Sequence, residues 1–362
     1  MAFNTERVKL KSVCEIKYGK DHKKLADGSV PAYGSGGLMR YVDKSIHDKK
    51  SVLIPRKGTL SNLFLVEPPF WTVDTLFWTD IDTQKINPDF LYYQLCTMDL
   101  ASRNVGTAVP SLTTALLNEL EIMLPSMEVQ EKIVSVLSAM DAKIRVNSKI
   151  NDNLQQQAAA LFANFYDRAE TEVGFTEIIQ ILGGGTPKTG ESSYWNGSVP
   201  FFTPKDIGSP YTLTTEKTIT EEGLTRCNSR LYPVNTVFVT ARGTVGKVGL
   251  PGVPMAMNQS CYALVGKNIH QLLVYFYTLK AVDRLKHKAS GAVFDAITTR
   301  DFESETITQL SDDDAKDFLD VAEPIYQAVL SNSIENLRLA SLRDSLLPKL
   351  MSGEIDVSDI QL

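Results

Sequence analysis

Apolar side chains recur at alternating steps of four and three along residues 133–165: Ile133, Leu137, Met140, Ile144, then after two asparagines Leu154, Ala158, Leu161 and Phe165. This is the seam of a helix that lays one apolar edge against a partner helix. A second stripe with the same spacing runs Phe318, Ala322, Ile325, Val329, then Leu339, Arg343, Leu346 and Leu350. Ser126, just after Pro125, is a natural N-cap for the first helix, and Glu128 puts acid in its first turn, where the helix dipole favours it. Ser311 followed by Asp312, Asp313 and Asp314 has the form of a capping box for the second. Both stripes carry asparagine at the same two steps, Asn147 and Asn151 in one, Asn332 and Asn336 in the other. A buried asparagine lowers stability but fixes register, because each amide must find a partner. Paired antiparallel, the asparagine layers would meet near the middle of the two helices. The alternative is two amphipathic helices that pack only on their own modules.

The rest of the chain has a shorter period. Strand-like runs at 51–54, 63–66, 236–239 and 262–265 are separated by Gly, Pro and Asn turns. A helix is expected at 88–100, capped by Asn87 with Pro88 at its first position, and another near 269–285 after Asn268. Each module therefore reads as α+β with a sheet-rich core.

These modules are copies. VLIPRKGTLSNLFL (52–65) matches VFVTARGTVGKVGL (237–250), setting Gly58 on Gly243, a shift of 185 residues. The same shift lays TVDTLFW (72–78) on MNQSCYA (257–263), Gly106 on Gly291, and Leu112-Thr113-Thr114 on Ile297-Thr298-Thr299. Upstream, GSVP at 28–31 recurs at 197–200, a shift of 169, so the second copy holds about 16 extra residues before its R-G-T. The order is a module at 1–125, a long helix at 126–168, a module at 169–310, a long helix at 311–350 and a tail at 351–362. A chain of 362 residues has room for two such domains.

Charge refines this picture. The net charge of −6 disfavours nucleic acid only until it is resolved along the chain. Residues 311–362 hold 4 basic against 11 acidic residues, while 1–57 hold 13 against 6 and 242–300 hold 8 against 2. Local charge governs phosphate binding, so two basic regions and one acidic end are the relevant facts. There is no apolar run of membrane-spanning length and no secretory core at the start. The four cysteines are scattered without a C-x-x-C pair. Both points suit a cytoplasmic chain.

Catalytic chemistry finds little support. The four histidines form no H-x-x-x-H or H-E-x-x-H pattern and there is no G-x-S-x-G. No metal, cofactor or nucleophilic triad is therefore expected. GGGTPKTG (183–190) lacks the G-x-x-x-x-G-K-[ST] spacing of a phosphate loop, since Pro187 stands before Lys188, and reads as a turn. Glu67-Pro68-Pro69-Phe70 resembles the [N/D]-P-P-[Y/F] motif of amino-methyltransferases, in which the aromatic ring stacks on a flipped base. Glu67 is one methylene too long, and Pro251-Gly252-Val253-Pro254 in the second copy has lost the pattern. A methyltransferase-like enzyme and a protein-binding coiled-coil scaffold are the alternatives to a DNA reader.

Binding residues gather around the duplicated turn. Lys57 or Arg242 can neutralise phosphate or bind guanine, and Gly58 and Gly243 let backbone approach a ligand. Thr59, Ser61 and Asn62 in one copy, and Thr244 and Lys247 in the other, can add hydrogen bonds. Lys20, Lys23 and Lys24 stand near Tyr33 and Ser35. In the second copy Lys188 and Lys205 precede the turn. Arg284, Lys286 and Lys288 come before Thr298, Thr299 and Arg300, the counterpart of Thr113 and Thr114.

The whole chain resembles a type I restriction–modification specificity subunit. The likeness is carried by GSVPFFTPKDIG (197–208), VTARGTVGKV (239–248), MNQSCYAL (257–264), ITTRDF (297–302), LPSMEVQEKIVSVLSAMDAKI (124–144) and NLRLASLRDSLLPKLMSGEI (336–355), with SVPAYGSGGLMRYV (29–42) in the first copy. The resemblance implies two target-recognition domains, each reading one half of a split site on double-stranded DNA. It implies that the long helices pair as an antiparallel coiled coil, that two methyltransferase subunits dock on the helical parts, and that restriction subunits can join. It also implies a non-catalytic chain. A helix over 133–165 would be about 50 Å long, so half-sites should lie one to one and a half DNA turns apart. Because the copies differ in sequence, the site should be non-palindromic.

Overall fold

The computed structural model describes residues 3–104, 110–208, 210–288 and 296–360. The match of Gly106 to Gly291 lies outside these residues. The chain divides into two compact units, Met1–Ile144 with Arg338–Leu362, and Arg145–Leu337.

In the first unit, Thr5–Lys9 pairs antiparallel with Glu121–Pro125, which closes the module at its two ends. Between them lie two sheets. One has the strand order Cys14–Tyr18, Leu76–Ile81, Ser51–Pro55, Phe64–Val66; the other runs Gly37–Val42, Val30–Gly34, Trp71–Thr72. Ser51–Pro55 is buried at every position, so its apolar run is continuous rather than alternating. The Asn87 side chain accepts from the Asp89 and Phe90 amides to start helix Pro88–Cys96. That helix ends before residue 100, because Thr97 turns back to donate its hydroxyl to Gln94 (2.7 Å).

The second unit repeats the plan. Thr171–Gly174 pairs with Thr306–Gln309. Ile179–Gly183, Cys261–Gly266, Val237–Thr240 and Val248–Pro251 form the larger sheet, with Tyr211–Thr212 added at its edge. Lys217–Ile219, Trp195–Phe202 and Ala256–Met257 form the smaller one. Helix Gln271–Lys288 starts later than Asn268. Asn268 instead takes a left-handed turn (φ 64°), and the His270 ring accepts from the Leu272 amide.

Strand register makes the repeat explicit. Leu53 pairs with Trp78 and Phe238 with Ala263, each partner displaced by 185. In the parallel pairs Ala32–Trp71 and Phe201–Ala256, the first residues stand 169 apart and the second 185 apart. The extra residues of the second copy supply the edge strand Tyr211–Thr212 and the short helix Glu221–Thr225.

Met127–Arg168 and Asp312–Met351 are the two long helices. The Ser126 hydroxyl accepts from the Val129 amide (3.5 Å), and that of Ser311 from the Asp314 amide (3.2 Å). No position of either apolar stripe is exposed. Within the first unit, Ile133 and Leu137 join Leu10, Val52, Phe77 and Phe90 in one core, together with Leu350 and Met351. Within the second, Phe162, Phe318, Ala322 and Val329 pack with Phe276 and Tyr277. The helices also touch each other inside each unit. Asp141 pairs with Arg343 (2.5 Å) in the first, and Asn147 bonds Asn336 (2.9 Å) and Arg168 bonds Asp314 (3.0 Å) in the second. Rising numbers on one helix meet falling numbers on the other, so these segments run antiparallel.

Candidate nucleic-acid interface

The duplicated turn follows the central strand of each larger sheet. Gly58 and Gly243 both take left-handed backbone (φ 91° and 83°), which favours glycine at that step. Each turn is tied to the segment that opens the next helix. Lys57 bridges Ser111 and Arg242 bridges Ala296, and the Leu112 and Ile297 amides donate to the Arg56 and Ala241 carbonyls (3.0 and 2.9 Å). Each turn also rests on the hairpin tip after the first strand of the smaller sheet. In the first module Asn62 donates to the Ser35 carbonyl (3.2 Å), and Ser35 donates its amide to Thr75 (3.4 Å). In the second, Thr244 donates its hydroxyl to the Pro204 carbonyl (3.2 Å).

In the first module this joins Tyr33, Ser35, Lys57, Gly58, Thr59, Ser61 and Asn62 into one surface. Lys20 belongs to its edge, since its amide donates to Thr72, which in turn pairs with Tyr33. Lys23 and Lys24 follow on the same loop. The Lys57 ammonium makes no hydrogen bond or ion pair among the described residues. Arg56, which the charge pattern did not single out, lies over the Tyr18 ring at 5.3 Å.

The second module divides its candidates. Lys205, Arg242 and Gly243 line a cleft of about 340 Å³ with Thr203, Pro204, Glu216, Lys217, Asn258 and Ser260. Lys247 and Lys286 line a separate cleft of about 650 Å³ floored by Phe162, Phe276 and Leu279. Lys188 reaches the first region through its carbonyl, which accepts from Trp195 (3.2 Å), and Lys217 lies over that same indole at 5.8 Å. Glu216, Lys217, Asn258 and Ser260 were not singled out from the sequence. The overlay of 72–78 on 257–263 carried the signal for the last two, because it sets Ser260 on Thr75.

Three candidates are committed elsewhere. Lys288 is held by Glu305, a carboxylate only 2% exposed that also faces Arg284 (3.4 Å), so it braces the fold. The Thr113 hydroxyl accepts from the Leu116 amide (3.2 Å) as an N-cap, and Thr298 forms a capping box with Asp301 (2.7 Å). Thr114, Thr299 and Arg300 sit in the first turns of the helices so capped.

The proline-proline motif is not a base-binding site. Phe70 is fully buried against His47 (ring centroids 5.9 Å apart), so it has no face to offer a flipped base, and Glu67 pairs with Lys50 (2.8 Å). GGGTPKTG follows strand Ile179–Gly183 and leads into a single 3₁₀ turn, Ser192–Tyr194, not the helix a phosphate loop needs. No helix among the described residues is long and apolar enough to cross a membrane.

The type I restriction–modification DNA specificity domain matches this chain twice, over residues 4–156 and 171–309. The HindI specificity subunit of Haemophilus influenzae is 24% identical over 74% of this chain and 77% of its own length. The MjaIX specificity subunit of Methanocaldococcus jannaschii is 21% identical over 91% and 84%. In fold, a type I restriction–modification S subunit from M. genitalium aligns over 96% of both chains with a TM-score of 0.62 at 17% identity.

Proposed function

Because this chain belongs to the type I restriction–modification DNA specificity family, we propose that it sets the DNA sequence preference of such a complex, each module reading one half of a bipartite, asymmetric site. The reading assigns target recognition to 1–125 and 169–310. The observation that carries it is the same glycine turn built twice, with an exposed cation beside it in each copy. Lys57 and Arg242 are solvated donors next to backbone that can approach a duplex, and phosphate and base-edge contacts both need such groups. Different neighbours around the two turns argue for two different half-sites.

The long helices, in this reading, pair as an antiparallel coiled coil whose register is fixed by Asn147, Asn151, Asn332 and Asn336. Two methyltransferase subunits dock on the helical parts and restriction subunits join them, in the cytoplasm. The chain itself supplies recognition and not catalysis.

The test is single-molecule methylome sequencing of a host with and without the gene. Loss of one bipartite, asymmetric modified motif is expected. Binding to a single contiguous short site in a footprint of the assembled complex would defeat the proposal.

A further inference from the structure

We infer that the second module reads a G·C base pair, with Arg242 on the guanine and Glu216 on the cytosine. The inference rests on the DNA-specificity reading above and deepens it. Both residues line the same cleft beside the Gly243 turn, and both are exposed. Neither the Arg242 guanidinium nor the Glu216 carboxylate makes a hydrogen bond or ion pair among the described residues, although Lys205 and Lys217 line the cleft with them.

A carboxylate in a cation-lined cleft repels phosphate, so it weakens general DNA attraction. It contributes only where a base offers it a donor. In the major groove those donors are cytosine N4 and adenine N6. The guanidinium fork asks for two neighbouring acceptors, which guanine O6 and N7 supply. One base pair presents both sets, G·C.

The position of Glu216 is built. Its amide donates to Asp206 (2.8 Å), and the same carboxylate accepts from the Thr203 amide and hydroxyl (2.7 Å each). Lys217 is drawn aside over the Trp195 ring. The first module lacks this chemistry. Strand register sets Arg40 opposite Ala32 and Lys217 opposite Phe201, so Met39 stands where the second module has Glu216. Met39 is 53% exposed between Leu38 and Tyr41, an apolar surface suited to a thymine methyl group.

The experiment selects binding sites from a random DNA library with the chain assembled with its methyltransferase partners. The wild-type complex should yield two half-motifs, one with a fixed G·C pair. Glu216→Met and Arg242→Lys should both relax that one pair, lowering discrimination on the order of tenfold, and leave the other half-motif unchanged. The inference is overturned if neither half holds a fixed G·C pair, if the two variants relax different positions, or if neither alters the motif. If the wild-type complex selects no bipartite motif, the specificity reading itself falls, and this inference with it.

Discussion

Asn147 donates its side-chain amide to Asn336 at 2.9 Å, and Asn332 donates to Asn151 at the same distance. Adding 185 turns the first donor into the second, and subtracting it turns the first acceptor into the second. One hydrogen bond is thus made twice, by an internal repeat folded back on itself. The spare Asn151 amide reaches the Val329 carbonyl and the Ser333 hydroxyl (3.3 Å each). Asn147 also donates to Glu335 (2.7 Å). Few polar groups at this layer are left over, and a slip of one heptad would set most of these amides against apolar side chains, Leu154, Ala158 and Leu339 in one direction and Met140, Ile144, Ile325 and Val329 in the other.

Replacing Asn147, only 1% exposed, by alanine should therefore cost about 1–3 kcal/mol, because Asn336 loses its donor in a buried layer. Replacing Asn147 and Asn336 together by leucine should recover most of that loss, since no unsatisfied amide remains between them. Urea unfolding of Asn147→Leu, Asn336→Leu and the double leucine variant completes the cycle, with Asn147→Ala measured beside it. Equal losses in Asn147→Ala and in the double leucine variant would show that the bond contributes nothing.

The cations divide into free and committed ones, and salt distinguishes them. Alanine at Lys57 should reduce the slope of log affinity against log salt by about 1, whereas alanine at Arg242, which is assigned to a guanine, should chiefly relax sequence discrimination in one half-site. Alanine at Lys288 should leave the slope unchanged and instead lower stability by about 1–3 kcal/mol, because Glu305 is buried and loses a charged partner. A titration of binding at several salt concentrations, with a urea curve for each variant, separates the two effects. A slope change in the Lys288 variant would return it to the interface.

The elements with a strong local signal were legible. The helix stripes, the Asn87–Pro88 start and the strand run at 51–54 follow from spacing and capping alone, and the repeat followed from two fixed shifts. What the sequence hid was pairing. Lys288 looked like one cation in a basic cluster, and nothing near it in sequence announces that Glu305 reaches it from a strand-end turn. Thr113 and Thr298 looked like hydroxyls near a ligand turn, yet each is spent on the short helix it opens. Glu216 was invisible for the opposite reason. It lies between the two stretches of extra residues in the second copy, where neither the 169- nor the 185-residue shift applies, and only strand register relates it to Met39.

Gly58 and Gly243 give a backbone test. An added Cβ would meet nothing closer than Ser35 Oγ at 3.7 Å or Pro204 Cβ at 3.8 Å, so space is not the obstacle. The obstacle is the left-handed conformation, which should cost about 1–2 kcal/mol for alanine. Gly58→Ala and Gly243→Ala should each loosen recognition in one half-site only, and not the same half. Motif sequencing of cells carrying each variant reads this directly. Identical effects on both halves from either variant would mean that the turns act on stability alone.

Thiol chemistry supplies the pH prediction. Burial pushes both the Cys14 and the Cys261 thiol up to about 12, and the Cys96 thiol up to about 11. A raised thiol pKa means less thiolate at any given pH, so the two buried thiols, Cys14 and Cys261, should alkylate slowly at pH 8 in the native protein. Between pH 8 and 10 the exposed Cys96 should label progressively faster, while Cys14 and Cys261, whose sulfurs lie in the two cores, stay protected. The same shifts bear on stability. Below the ordinary thiol range, both native and unfolded chains hold these protons and the groups contribute nothing. Above it, the unfolded chain releases protons that the native chain keeps, so stability falls as pH climbs toward 12. Mass spectrometry after iodoacetamide labelling at pH 8 and 10 gives the first result, and urea midpoints across pH 8 to 11 give the second. Rapid native labelling of Cys14 at pH 8, or a midpoint that rises with pH in this range, would contradict the burial argument. Replacing Cys14 and Cys261 by alanine should remove their share of the alkaline decline, leaving the part that comes from the other raised groups, among them the buried tyrosines Tyr211, Tyr275, Tyr277 and Tyr326.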